Sequence, residues 1–446
     1  LVDFDMLAGD WVYHGEGNAN ILFAYAGSHP QMQNHLLRLV KSDDVSPASS
    51  SVSAEPSSAA VAIPEKDMQK SLAEFCENLL FTKKVIGSLL GDAYILPQRL
   101  VRVTAPFVES LNAAAKQLRP AHRTHKRADS SQVFGVIIAD MAGRGSKADS
   151  CQTNDDPSAK DSNVICIEIK PKWGHLPKSS YISEETSVKR RVCRYCMKQY
   201  LKHGADSASR FCPLDLYSGD RERMGHALDC LCSSPQNNLR VFVDGTIVGS
   251  AKDSSLDTDK VPGWALLKQA VVDILLSDGI LQRLARLQSE LDHLDIEGLY
   301  PRYKRAIENG QLDGSQPKLK DWLSACSAFK ARLLADESSS ASSVLDIDDV
   351  QAVLEFMFSV TLKDISILIQ VNPWPSPASV TRDGCSNSSS SGASNGCHLP
   401  NYKIVVIDTD PKKLAKIPTY LEQDREIVEN YLKHNLDPLD QRTCTE

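Results

Sequence analysis

Along "NVICIEIK" (163–170) Ile165, Ile167 and Ile169 alternate with Cys166 and Glu168. A period of two predicts a β-strand. The same reading applies to "ANILFAYAG", "HLLRLVKS", "QRLVRVT", "FGVIIADM", "DISILIQV" and "NYKIVVIDTD". "NLRVFVDGTIVG" predicts a hairpin, because Asp-Gly between β-branched runs suits a type I′ turn. Elsewhere the period is helical. Leu72, Phe75, Leu79, Val85, Ile86 and Leu89 mark one helix, "GWALLKQAVVDILLSDGILQRLARLQSELDHL" predicts two, and "PTYLEQDREIVENYL" an amphipathic last one.

Three segments break the pattern: 42–66 is rich in Ser, Ala and Pro, 142–163 is polar with Gly, and 372–401 is close to low complexity. They read as loops or linkers, since such composition buries too little apolar surface to order itself. The fold class expected is α+β. A small N-terminal lobe (1–140) and a hinge with a flexible loop (141–163) precede a larger mixed α/β C-terminal lobe (164–446).

Composition narrows the function classes. The chain has 446 residues, a net charge of −7 and twelve scattered cysteines, and begins at Leu1, as a fragment or trimmed chain would. No signal peptide or long apolar span stands out. We expect a soluble monomer of a reducing compartment, the cytoplasm and/or nucleus. The negative balance argues against a general nucleic-acid coat, so any anion site must be a local basic cluster.

Such clusters exist. Lys170 and Lys172 end a strand that otherwise reads as core. Arg194, Lys198 and Lys202 recur every four residues and share one helix face. "LRPAHRTHKR" and "DPKKLAKIPTY" add further cations. Gly15 and Gly17 lie between two strands, where glycine lets backbone amides approach a phosphate, although a tight hairpin explains them as well. Asp364 and Asp408 stand at strand ends. Phosphoryl transfer needs one carboxylate to take a hydroxyl proton and another to hold Mg²⁺. Either aspartate alone could be a turn residue.

"GEGNAN", "EIKPK", "CRYCMKQYLK", "CPLDLYSG", "QNNLRVF", "LDIEGLY", "KDISI" and "IDTDPK" occur in this order. Together they resemble the inositol-pentakisphosphate 2-kinases, in their animal-like form. That resemblance implies a two-lobed kinase-like fold that moves the ATP γ-phosphate to the 2-hydroxyl of inositol 1,3,4,5,6-pentakisphosphate, giving inositol hexakisphosphate. It implies a phosphate-covering loop of Gly17, Asn18, Ala19 and Asn20, an ATP-binding Arg38, an adenine hinge at Asp140 and Met141, and Glu168 and Arg240 beside the nucleotide. For the inositide it implies Arg123, Lys170, Lys172, Arg194, Lys198, Lys202, Asn237, Asn238, Lys412, Lys416 and Tyr420. Lys170 would also lie near the transferred group. Asp364 would be the general base and Asp408 the Mg²⁺ ligand. ATP and Mg²⁺ are the cofactors, and neither a membrane nor a nucleic acid is an expected partner.

Cys193, Cys196 and Cys212 offer three thiolates at zinc-ligand spacing. His203 is the fourth ligand nearest in sequence, with His175 or Cys230 as alternatives. Two readings compete with the kinase. One is an inositol-polyphosphate-binding protein without catalysis, against which the presence of both Asp364 and Asp408 argues. The other is a zinc-containing nucleic-acid binder, which would need interleaved aromatics that the basic clusters lack.

Overall fold

A computed structural model describes residues 6–43, 65–143, 163–204, 206–248, 255–338, 347–374, 399–434 and 443–446. Most of the three segments read as linkers therefore lies outside the described residues. The elements are β1 (Trp11–Glu16), β2 (Asn20–Tyr25), β3 (His35–Asp43), α1 (Glu65–Phe81), α2 (Gly87–Leu90), β4 (Gln98–Arg102), α3 (Ala105–Ala115), β5 (Lys126–Ala128), β6 (Phe134–Ala139) and β7 (Asn163–Ile169). There follow α4 (Arg194–His203), α5 (Pro213–Tyr217), α6 (Arg221–Ser233), β8 (Leu239–Val243), β9 (Thr246–Val248), α7 (Trp264–Asp278), α8 (Ile280–Leu291), α9 (Asp295–Glu308), α10 (Leu319–Ser338), α11 (Asp349–Leu362), β10 (Ser366–Trp374), β11 (Tyr402–Ile407) and α12 (Ile417–His434). The class is α+β, and each strand read from the alternating pattern is present.

The chain divides into two compact units, Leu1–Leu79 with Leu96–Asp155, and Leu80–Ile95 with Asp156–Glu446. The stretch Leu80–Ile95 groups with the second unit, whereas the sequence pattern had left it in the first lobe. The cause is visible in its contacts: Phe81 packs on Trp322 and Phe358, and Tyr94 donates to Asp278. In the first unit an antiparallel sheet runs β1-β2-β3-β6-β4, with β5 on the end of β3. Ile21, Phe23, Leu37 and Leu39 turn one face toward α3 and bury there.

In the second unit the sheet runs β11-β10-β7-β8-β9, all antiparallel. β7 is buried on both faces from Val164 onward. Register then sets the site. Ile169 pairs with Ile367 and with Leu239, and Ser366 pairs with Ile407. Lys170, Ser366, Asn238 and Asp408 are therefore brought to one end of the sheet. The β8–β9 hairpin turns through Asp244 (φ 49°) and Gly245 (φ 81°), as a type I′ turn requires. Gly279, at φ 78°, ends α7 and begins α8, which splits the long helical pattern in two. None of the described helices is long and apolar enough to cross a membrane.

Candidate active site

At the sheet end, Lys170 Nζ donates to Ser366 Oγ at 2.7 Å and to Asp408 Oδ2 at 2.5 Å. Ser366 Oγ in turn donates to Glu168 Oε1 at 2.9 Å. Glu168 and Arg240 are cross-strand partners and form an ion pair at 3.1 Å. Arg240 also donates to Asn237 Oδ1 at 2.9 Å. Asn238 is buried: its carbonyl accepts from the Lys170 amide and its side-chain amide donates to Tyr195 Oη at 3.0 Å. It braces Lys170, while Asn237 beside it is exposed.

Asp408 has φ 64°, unusual for a residue with a side chain, and its carboxylate is half exposed. The turn is held from below by a buried hydrogen bond between the Thr82 and Thr409 hydroxyls at 3.1 Å. Asp364 lies two residues before β10, half exposed, with Lys412 Nζ 2.6 Å from Oδ2. Partial burial alone would raise its carboxyl. The charges of Lys412, Lys172 and Lys170 overcome that and hold it below the usual carboxylate range. Tyr420 faces the same carboxylate, and burial with the Asp364 charge pushes its phenol up. Gln316 anchors this loop through the Lys412 carbonyl and the Leu414 amide. Lys416 is exposed nearby in sequence.

Lys172 also has a positive φ, 64°. Burial depresses its ammonium to about 8, with Lys170, Lys198 and Lys202 adding to the effect and Asp364 opposing it. Lys198 is lowered for the same reasons, burial first, then Arg194 and Lys202. The two lysine-rich motifs thus face one place. Like charges crowded there are a cost that an anion repays.

The start of α4 is fixed from two sides. Arg194 lies over the Trp173 ring, 5.3 Å from its centroid, and donates to Asp424 Oδ1 on α12. Asp424 Oδ2 accepts from Lys189 at 2.7 Å, and Lys189 also reaches Asp295 at 2.6 Å and Glu297 at 3.1 Å. Lys189 is 3% exposed and is held charged by these carboxylates against its burial. Sequence reasoning missed Asp424, Ser366 and Trp173. A signal existed for Asp424: it occupies a core position of α12, in line with Leu421, Ile427, Val428 and Tyr431.

In the first unit, Gly17 closes the β1–β2 turn by donating to the Asn20 carbonyl at 2.9 Å. Neither Gly15 nor Gly17 has a positive φ, and an added Cβ would meet nothing within 4 Å among the described residues. The β1–β2 register shifts between Tyr13 and Gly15, an irregularity that glycine accommodates, so the two glycines do not by themselves call for a ligand. Arg123 reaches Asn18 Oδ1 at 3.5 Å. Arg38 lies on β3, on the opposite face to Leu37 and Leu39. Asp140 caps its own turn by accepting from the Ala142 amide, and Met141 is buried.

The basic run 118–127 does not act as a single patch. Arg119 turns inward and makes a bidentate pair with buried Glu16 at 2.8 Å, beside Lys41 at 2.7 Å. Arg127 pairs with Glu109. Arg119 also grips the carbonyls of Arg123 and Lys126, so it shapes the loop that carries Arg123.

The cysteine expectation needs one correction. Cys193, Cys196 and Cys212 do converge, but the fourth group is Cys444, with all four sulfurs within 4.8 Å of one another. His203 is exposed at the far end of α4, seven residues past Cys196, about 10 Å along the helix axis. Cys230 and His175 lie outside the cluster as well. A tetrahedral zinc with bonds of about 2.3 Å separates its sulfurs by about 3.8 Å, and Cys193 and Cys212 stand 4.0 Å apart. The donor set fits a closed structural zinc. Hydrogen bonds from the other three thiols hold Cys444 well below the usual thiol range.

A strand-end lysine on an aspartate and a second aspartate beside several lysines are the kinds of group that phosphate chemistry uses. The chain belongs to the inositol-pentakisphosphate 2-kinase family, whose family model matches residues 13–426. It is 32% identical over 451 residues to inositol-pentakisphosphate 2-kinase IPK1 of Oryza sativa subsp. indica, covering 96% of this chain and 94% of that one. It is 29% identical to the Arabidopsis thaliana enzyme (95% and 93% covered) and 27% identical to that of Danio rerio (96% and 94%). The identities span plants and fish and do not single out one branch. A kinase family implies ATP and a divalent metal.

Proposed function

We propose that this chain transfers the γ-phosphoryl group of ATP to the 2-hydroxyl of inositol 1,3,4,5,6-pentakisphosphate. The observation that carries the reading is the convergence of Lys170, Lys172, Lys198, Lys202 and Lys412 on the surroundings of one carboxylate, Asp364. A pentakisphosphate carries a charge of about −8 to −10 at neutral pH. Many fixed cations are needed to desolvate and orient such a ligand.

Asp364 accepts the proton of the attacking hydroxyl. Its depressed carboxyl is a weak base in the free protein, and the charge of the bound inositide opposes the lysines and restores basicity. Lys170 stands where charge develops on the transferred group, with Asp408 and Ser366 fixing its ammonium. The residues present fit Mg²⁺ at Asp408, whose half-exposed carboxylate its left-handed backbone presents at the strand end. Mg²⁺ would neutralise charge on the nucleotide phosphates. Lys172, Arg194, Lys198, Lys202, Asn237, Lys412, Lys416 and Tyr420 hold the inositide. Asn238 contributes as a brace for Lys170. The family resemblance gives Gly17, Asn18, Ala19, Asn20, Arg38, Asp140, Met141, Glu168 and Arg240 to the nucleotide and Arg123 to the inositide.

The test is Asp364→Asn. It keeps the shape and removes the base, so turnover should fall by about 10²–10⁴-fold while inositide binding by calorimetry stays near wild type. Wild-type turnover in this variant would remove Asp364 from the role.

We also propose that Cys193, Cys196, Cys212 and Cys444 hold one structural zinc. A closed thiolate site leaves no open position for water, so the metal stabilises the fold and takes no part in phosphoryl transfer.

A further inference from the structure

Gln288, on α8, is 0% exposed, and its side-chain amide is fully used. Oε1 accepts from the Gly174 amide at 2.8 Å. Nε2 donates to the Lys172 carbonyl and to the Leu362 carbonyl, each at 3.1 Å. A buried amide that satisfies three backbone groups on two separate segments does more than fill space. One segment carries Lys172, and the other ends α11 two residues before Asp364.

The Lys172 turn needs this support. Lys172 holds φ 64°, a conformation that costs free energy unless the surroundings enforce it. Tyr217 Oη donates to the same Lys172 carbonyl at 3.2 Å. Two residues on, a Cβ added at Gly174 would come within 2.6 Å of the Tyr217 ring, so the turn packs directly against that ring. A second link runs beside the first. Lys363 Nζ, bound to Asp292, lies 3.8 Å from the Trp173 ring centroid. The turn 172–174 and the turn 362–364 are thus joined through both backbone and side chains.

We infer that Gln288 is a positioning residue for the phosphoryl transfer: it sets Lys172 relative to Asp364, so that the cation holding the inositide and the carboxylate receiving its proton move as one body. Tyr217 supports the Lys172 side of the same linkage. This inference rests on the roles given above to Lys172 and Asp364.

The test uses the full chain and steady-state kinetics with inositol pentakisphosphate and ATP, on five variants: Gln288→Met, Tyr217→Phe, Lys172→Ala, and Lys172→Ala combined with Gln288→Met or with Tyr217→Phe. Gln288→Met keeps length and volume and removes the three hydrogen bonds. We expect the inositide KM to rise and kcat to fall, together costing about tenfold to a hundredfold in kcat/KM, with the ATP KM unchanged. In the Lys172→Ala background, Gln288→Met should add nothing further to the inositide KM, because its effect passes through Lys172. A purely structural role would add in full and move the ATP KM as well. If Gln288→Met does not fold, Tyr217→Phe removes a single hydroxyl and should raise the inositide KM only while Lys172 is present. A silent Gln288→Met, additive effects, or a silent Tyr217→Phe overturns the inference. Should Lys172→Ala itself leave the inositide KM unchanged, the reading of the site falls and this inference with it. If Lys172→Ala is impaired but the other two single variants are silent, only this inference falls.

Discussion

Lys172 illustrates how one residue carries both a fold cost and a function. Its backbone is left-handed, its ammonium is depressed to about 8, and three other lysines face it. Because the charged form is the one that attracts phosphate, inositide affinity should weaken as pH rises through about 8, where Lys172 loses its proton. The sign is that of a cation with a lowered folded value: it is charged below that value and neutral above it. We expect the inositide KM to climb between about pH 7.5 and 9 and the ATP KM to stay flat. Lys172→Arg, whose guanidinium does not titrate in this range, should abolish that rise. A wild-type profile that is flat across the window would contradict the assignment. The lysines themselves were legible in the sequence, since charged residues ending a buried strand are conspicuous. Gln288 was not, because a single polar residue on an apolar helix face reads like a boundary position until its partners are seen; Asp424, on the core face of α12, carried a signal that went unused.

At the scale of elements, α4 and α12 form a pair. Tyr200 packs edge-on against Tyr431, and Asp424 joins Arg194 to buried Lys189. Removing that carboxylate leaves an interior ammonium with fewer partners. Asp424→Asn should destabilise by about 3 kcal/mol, at the low end for breaking a buried pair, because Asp295 and Glu297 still face Lys189. It should also weaken inositide binding through Arg194. A thermal melt within a degree of wild type would show that the cluster does not support α4. The strands were readable from periodicity, as were α1, α4, the α7–α8 pair and α12, whereas α3, α5, α6, α9, α10 and α11 were not read from the pattern. The inward turn of Arg119 was not readable, because its partner Glu16 lies 103 residues away. The same holds for Cys444, which is 251 residues from Cys193.

For the whole molecule, the cysteine cluster joins the last described residues to the start of α4. The Cys444 amide donates to the Arg191 carbonyl at 2.8 Å, Arg223 reaches the Thr445 carbonyl at 2.6 Å, and Glu446 accepts from the Leu176 amide at 2.6 Å. Protein purified without added metal should contain about one zinc per chain, and a strong chelator should lower the melting temperature before it lowers the turnover of folded protein. Cys444→Ser should reduce zinc content and stability as Cys193→Ser does, while His203→Ala should change neither. Zinc-free protein of unchanged stability would return the four thiols to ordinary core packing.

Transfer to the 2-hydroxyl can be read from the products themselves. The protein is incubated with Mg-ATP and each inositol pentakisphosphate isomer in turn, and the products are separated by anion exchange. The isomer with a free 2-hydroxyl should be converted to inositol hexakisphosphate with stoichiometric ADP, and Asp364→Asn should form almost none. Absence of hexakisphosphate from that isomer, or preferred conversion of an isomer whose 2-position is already phosphorylated, would exclude 2-hydroxyl transfer as the reaction of this protein.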